Sequence, residues 1–483
     1  MNWLDYNDNF FEDDNFEDME EKVRHYLKLF RNPVRNRYDF PRPEVFENLV
    51  DYCINDERYE EALEICGVWI TCEPDNSTAF HKRAILLSIT DKPVEAFLSI
   101  KKAISLNPTE NEYLLAQAII FEQLGNPLKG LSLLDDILKS DPGNEAGLLS
   151  KAMILSGLDR HKESVEILEY LENMAFESEE IIQELAFGYC MLENYSKSEE
   201  YYERAILLNP MDSMIWYNYG VMLAAIGANY RAIECYENAL AIKEDFTQAL
   251  FNLGNIYMII QRPVESIESF TKILEYQPDD IDTLLNLASV YSDNQQYISA
   301  IEYFTKIIDH DQTNYQAFFG RGYAYDSLEH YDEALLDYNH ALKYAPSSKQ
   351  ILQAKADLLY NTGRFTESLN VYLQVLEDNM TDEHSWYDAA LLYFELDDYE
   401  KSKEYVQRAI DLSYSFSEAW YLLAKNYLFL NNHKKMAKCL AESVKLDSTK
   451  LDEFLNEFPF LKSDAIMSKV IIDKNQNTNR FFS

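Results

Sequence analysis

"WYNYGVMLAAIGANYRAIECYENAL", residues 216–240, is matched 34 residues on by "LFNLGNIYMIIQRPVESIESFTKIL", residues 250–274. At equal offsets the two stretches share a bulky residue (Trp216, Leu250), an asparagine (Asn218, Asn252), a glycine (Gly220, Gly254), a small residue (Ala232, Ser266) and an aromatic (Tyr236, Phe270). Self-similarity at a fixed spacing marks a repeat architecture. It overrides the domain count that the length of the chain would suggest.

The prolines extend the ruler. Pro74, Pro108, Pro142, Pro210, Pro278 and Pro346 are separated by 34 residues or by twice that number. Counting back from them gives twelve units, beginning at Pro43, Ser77, Asn111, Glu145, Glu179, Ser213, Thr247, Ile281, Tyr315, Lys349, Glu383 and Ser417, with no insertion or deletion. Pro93, Pro127 and Pro263 fall at the seventeenth place of their units, after a short polar break. Proline suits the first turn of a helix, where its missing N–H has no partner to lose. A second helix is therefore expected to start there, and the prolines at place 32 to mark its end, because a ring inside a helix costs about 3 kcal/mol. Leu250, Leu253, Gly254 and Tyr257 recur as one helical face. Small residues hold place 8 in every unit but the first, which has Val50, and place 20 in every unit but the last, which has Met436. One small residue per helix lets paired axes approach closely. Aromatics at place 24 (Tyr202, Tyr236, Phe270, Phe304, Tyr338, Tyr372) then fill the gap.

This arrangement resembles the tetratricopeptide repeat (TPR), whose pattern has a large residue at place 4, Leu at 7, Gly or Ala at 8, Tyr at 11, Ala at 20, an aromatic at 24, Ala at 27 and Pro at 32. The unit from Tyr315 matches with Phe318, Gly322, Tyr325, Ala334, Tyr338, Ala341 and Pro346, and that from Ser213 with Trp216, Gly220, Ala232, Tyr236 and Ala239. The resemblance covers residues 43–450 and implies an all-α fold, an α-solenoid wound as a right-handed superhelix. Residues 1–14 are acidic and aromatic without a helical stripe and read as disordered. Residues 15–42 read as a capping helix, with Met19, Val23, Leu27 and Phe30 on one face, and a basic connector. Residues 451–483 read as a closing helix and a polar tail.

Composition limits function. Eighty-three acidic residues against 43 basic ones give a net charge of -40, which repels a nucleic-acid backbone and favours a basic partner. The six cysteines form no C-x-x-C pair or zinc spacing, so no metal site or cofactor is expected and a reducing, cytoplasmic setting is. No run of about 18 apolar residues occurs, so no membrane insertion is expected. Phosphate-binding, zinc-protease and nucleophile-elbow motifs are absent, and the uniform rhythm leaves no long loop to carry catalytic residues. The chain is expected not to be an enzyme.

One surface remains. In the family, places 2, 5, 6, 9, 12 and 13 of the first helix line the concave side, and places 2, 5, 9 and 12 form a stripe of their own, offset from the core stripe. Carried onto this sequence, the groove presents Tyr217, Asn218, Val221, Phe251, Asn252, Asn255, Met258, Leu285, Asn286, Ser289, Phe319 and Tyr323. Aromatic anchors suit a buried interface. Asn218, Asn252 and Asn286 share place 6, where asparagines in some family members hold the backbone of an extended chain; a side-chain amide both donates and accepts, as a peptide unit does. Place 5 never carries the lysine by which other members grip a terminal carboxylate. Glu44, Glu47 and Asp51 make the first unit's inner face acidic. The expectation is a scaffold or adaptor that holds an extended or helical segment of another protein, with self-association between solenoids as the alternative and an unrecognised enzyme as a remote one.

Overall fold

The computed structural model describes residues 19–31, 43–174, 178–378 and 380–463, so the acidic aromatic stretch 1–14, the basic connector and the polar tail lie outside the described residues. Among the described residues there are twenty-six α-helices and no strand. The helix α1 (Met19–Phe30) comes first and α26 (Lys450–Glu457), followed by a 3-10 turn over Pro459–Ser463, comes last. Between them run twelve helical hairpins. Their first helices begin at the twelve residues that the proline ruler marks, and their second helices begin at place 17, with Pro93, Pro127 and Pro263 in the first turn.

The described residues form two compact bodies, divided between Glu244 and Asp245. The first holds α1 and six hairpins, the second six hairpins and α26.

The hairpins close as the sequence dictates. Tyr236, Phe270 and Tyr338 are no more than 1% exposed, and each lies over the glycine at place 8 of its own unit. A Cβ on Gly254 would stand 2.8 Å from Phe270 Cζ, and one on Gly322 2.9 Å from Tyr338 Cδ1. Carbon atoms normally meet at about 3.5–4.0 Å, so glycine is required for these rings to sit as they do. At three of the units in which serine replaces alanine at place 20, its buried hydroxyl donates across the hairpin to the carbonyl at place 8: Ser198 to Ala186 (2.7 Å), Ser266 to Gly254 (2.9 Å) and Ser368 to Ala356 (2.7 Å). A buried hydroxyl without such a partner would be costly.

The turn between paired helices uses a device that the period does not reveal. Place 15 has positive φ in all twelve hairpins, and only three of these residues, Gly125, Gly227 and Gly363, are glycine. The next residue's N–H closes back on the carbonyl at place 11, as Asn126 does on Phe121 (2.8 Å) and Arg262 on Tyr257 (2.8 Å). These bonds satisfy carbonyls that the helix end leaves open, which offsets the left-handed backbone. Between several hairpins the side chain at place 34 caps the next helix: Asn76 Oδ1 accepts from Ala79 N–H at 3.0 Å and Asn314 Oδ1 from Ala317 N–H at 2.9 Å. Trp216, Trp386 and Trp420, all at place 4, donate Nε1–H to the carbonyl six residues earlier, at 2.9–3.0 Å, and so pin the turn that precedes them.

Both ends are covered. Val23, Tyr26, Leu27 and Phe30 of α1 are buried against the first hairpin, where Phe30, Phe46 and Trp69 stack with successive centroids 5.9 Å apart. Leu451, Phe454, Phe458 and Leu461 close the last hairpin in the same way. A terminal repeat otherwise exposes its inner face to water.

Candidate functional site

The first helices of consecutive hairpins in the second body bring their inner faces to one groove of about 1020 Å³, formed from the hairpins that begin at Thr247, Ile281, Tyr315 and Lys349. Its apolar floor is Phe251, Leu285, Phe319 and Ile351. The floor rings are held from below: Phe251 meets the buried Phe270 edge-on, centroids 5.7 Å apart, and Phe319 meets the buried Tyr338 at 5.9 Å. Each ring is thus fixed by its own hairpin while part of it faces the groove. Tyr323 stands higher on the wall and is 48% exposed.

Gly320 occupies the place at which the preceding units carry asparagine. A Cβ there would stand 2.6 Å from Phe304 Cε1 and 2.8 Å from Cε2, and nearer still to Cζ. The asparagine series stops at this unit because the ring of the previous hairpin fills the space. The missing side chain leaves Phe304 on the groove floor although it is only 3% exposed.

The walls are acidic. Asp282, Asp293 and Asp357 line the groove, and among the described residues no lysine, arginine or histidine lines it. The buried phenol of Tyr372 donates to Asp357 Oδ1 at 2.5 Å and also hydrogen-bonds Asp388 of the next hairpin. Burial pushes the Asp388 carboxyl up to about 6, and the charge of Asp357 adds to the rise; the Tyr372 hydroxyl and nearby His384 oppose it. Burial likewise raises Asp326, which accepts from Tyr338 Oη at 3.4 Å and feels Asp357. Asp326, Asp357 and Asp388, from successive hairpins, therefore form one interacting row, and a nearby cation would relieve it.

Of the residues expected from the sequence, Phe251, Leu285, Asn286, Ser289, Phe319 and Tyr323 line this groove. Asn252 and Asn255 lie half-buried on the helix Thr247–Ile259, and Met258 lines a separate depression with Gln261, Pro263 and Val290. Tyr217, Asn218 and Val221 belong to the first body, where Tyr217 packs on Tyr236 with centroids 5.9 Å apart and Val221 is 39% exposed. At the amino-terminal end Glu44 is exposed and Glu47 half-buried, but Asp51 already has an internal partner, Lys82 Nζ at 2.5 Å. The carboxylates at 282, 357 and 388 are not among the residues expected from the rings and amides, although their places, 2, 9 and 6, lie on the concave side and could have marked them. Among the described residues no three His, Cys, Asp or Glu side chains are grouped to hold a metal, and no helix is long and apolar enough to cross a membrane.

Comparison with known proteins gives the same repeat. Residues 182–273 match a family described as the middle TPR-like domain of cilia and flagella-associated protein 70. Residues 281–314, 315–348, 383–416 and 417–450 match the tetratricopeptide repeat, in the register of the hairpins. No curated protein matches the chain. Similar solved structures include a tetratricopeptide repeat protein from Parabacteroides merdae, 18% identical over 51% of this chain and 98% of its own, with a TM-score of 0.40. YrrB, a TPR protein with an unusual peptide-binding site, is 18% identical over 38% of this chain and 94% of its own, with a TM-score of 0.35. MamA from Desulfovibrio magneticus RS-1 is 20% identical over 35% of this chain and 96% of its own, with a TM-score of 0.33.

Proposed function

Since this chain carries tandem tetratricopeptide repeats, which generally serve protein–protein interaction and not catalysis, we propose that it is a binding scaffold or adaptor whose groove over residues 251–357 holds a segment of another protein. The observation behind this reading is that four consecutive hairpins contribute apolar and aromatic side chains to one open groove. Rings locked by packing lose little freedom when a guest covers them, so burying them favours binding more than burying mobile side chains would. Asn286, on the wall, offers a donor and an acceptor to the guest's backbone. The reducing cytoplasm expected from the cysteine pattern is part of the same proposal.

Replacing Asn286 and Tyr323 together by alanine is expected to reduce capture of the bound protein by about tenfold, with a melting temperature within about 2 °C of the unaltered chain. Unchanged capture removes the groove from the account. The alternative, self-association, draws on Val94, Leu98 and Leu128, apolar side chains 64–70% exposed on adjacent hairpins of the first body. Light scattering over a concentration series separates the two, since a strictly monomeric chain excludes the second.

A further inference from the structure

The groove of the second body joins an apolar floor to walls of one sign. Asp282, Asp293 and Asp357 line it, Asp326 and Asp388 stand in the same row of interacting carboxylates, and no basic side chain among the described residues lines the groove to neutralise them. Elsewhere bases of the chain pair with some of its acids, as Lys82 pairs with Asp51, Lys151 with Asp135 at 2.6 Å and Lys349 with Asp382 at 2.8 Å. Among the described residues no base pairs with Asp282, Asp293 or Asp357 in this way. Tyr372, 4% exposed, has one hydroxyl hydrogen, donated to Asp357 and shared with Asp388, which orients these carboxylates without cancelling their charge.

Resting on the groove reading above, we infer that the occupant is an extended cationic segment of a partner protein, with an arginine or lysine against Asp357 and Asp388 and a bulky apolar side chain over Phe319 and the Phe304 ring beside Gly320. Four hairpins advancing about 10 Å each give roughly 30–40 Å of groove, which about ten to twelve residues of extended chain would fill at about 3.3 Å per residue. The apolar side chain supplies most of the desolvation gain. The cation sets which segments bind, because a guest carboxylate in the same position meets like charge.

The test uses the full chain and fluorescence anisotropy with three labelled peptides of about twelve residues each, alternating leucine with arginine, glutamine or glutamate. The arginine peptide is expected to bind, to weaken by about tenfold between about 50 and about 300 mM NaCl, and to weaken by about tenfold on Asp357→Asn with Asp388→Asn. Asp159→Asn with Glu180→Gln removes the same charge from exposed sites in the first body and is expected to change Kd by less than about twofold. Equal losses from the two double variants would show attraction to net charge alone and overturn the inference. Preferred binding of the glutamine or glutamate peptide, weakened by Tyr323→Ala, would also overturn it while leaving the groove reading intact. Insensitivity of every peptide to Tyr323→Ala and to the aspartate changes would remove both. A rise in affinity of about tenfold when Lys469, Lys474 and Arg480 are each replaced by aspartate would assign the groove to the chain's own residues 464–483, against an external partner.

Discussion

Gly320→Ala offers a direct test of how the groove floor is built. The residue lies inside the helix Tyr315–Ser327, where alanine is ordinarily better than glycine by about 0.8–1.0 kcal/mol. Helix propensity alone therefore makes this a stabilising change. The packing says otherwise: the new methyl would stand 2.6 and 2.8 Å from two carbons of the Phe304 ring, which is 3% exposed and packed into the core of its own hairpin. Restoring ordinary contact needs a displacement of about 1 Å, and overpacking of this kind costs about 1–3 kcal/mol, so after the propensity gain the net effect is destabilisation by up to about 2 kcal/mol. Gly67→Ala serves as the control. Gly67 sits mid-helix and exposed, with nothing within 4 Å of the methyl group that alanine would add, and this change is expected to stabilise by about 0.5–1 kcal/mol. Urea unfolding followed by circular dichroism reads the total. Hydrogen exchange over residues 297–327 reads the local effect, which matters because stacked repeats need not unfold as one unit. Trimming the ring should relieve the clash, so Gly320→Ala is expected to cost at least about 1 kcal/mol less in a Phe304→Leu background. Gly320→Ala stabilising the chain as Gly67→Ala does, or costing the same with Phe304 trimmed, would refute the reasoning.

Two further predictions concern buried charge. Asp388 has its folded pKa near 6, above the ordinary value of about 3.9, so its stabilising protonation is complete below about pH 4 and is lost as pH rises through 6. Asp388→Asn is expected to raise stability at about pH 7.5 by about 1–2 kcal/mol, with the gain vanishing near pH 4; thermal melts across pH check this, and a gain that is constant with pH contradicts it. The neighbouring charges in that measurement are Asp357, Asp382 and His384, all of which act on Asp388. Arg321 grips Asp337 through two parallel bonds, Nε to Oδ2 at 2.7 Å and Nη2 to Oδ1 at 2.9 Å, and Asp337 is 2% exposed. Arg321→Leu alone is expected to cost about 3–5 kcal/mol by leaving that carboxylate unpaired, and Arg321→Leu with Asp337→Val to recover most of it in a denaturant titration.

The repeat was legible because packing between paired helices is local: places 8, 20 and 24 meet within one hairpin, so their sizes recur in the sequence at the spacing at which they touch. The start of every hairpin could be read for the same reason. The left-handed turn residue was hidden, since Glu57, Gln261, Gln295 and Glu329 tolerate positive φ through the backbone bonds around them and carry no glycine signal. Pairings between hairpins were hidden as well. Lys82 with Asp51 and Tyr372 with Asp388 depend on neighbouring units and on the direction in which side chains leave their helices. The inner stripe itself could be read, as Phe251, Leu285 and Phe319 show, while the charge of its walls depends on acids that only the stacking of different hairpins brings side by side.

The most direct measurement places a photoreactive phenylalanine analogue at Tyr323, on the groove wall, and separately at Ile298, which is 70% exposed and does not line the groove. Irradiation in cells followed by sequencing of the cross-linked peptide is expected to give one partner segment rich in lysine or arginine from position 323 and none of it from position 298. The same adducts from both positions, or none from 323, would contradict the claim that this groove is where the protein works.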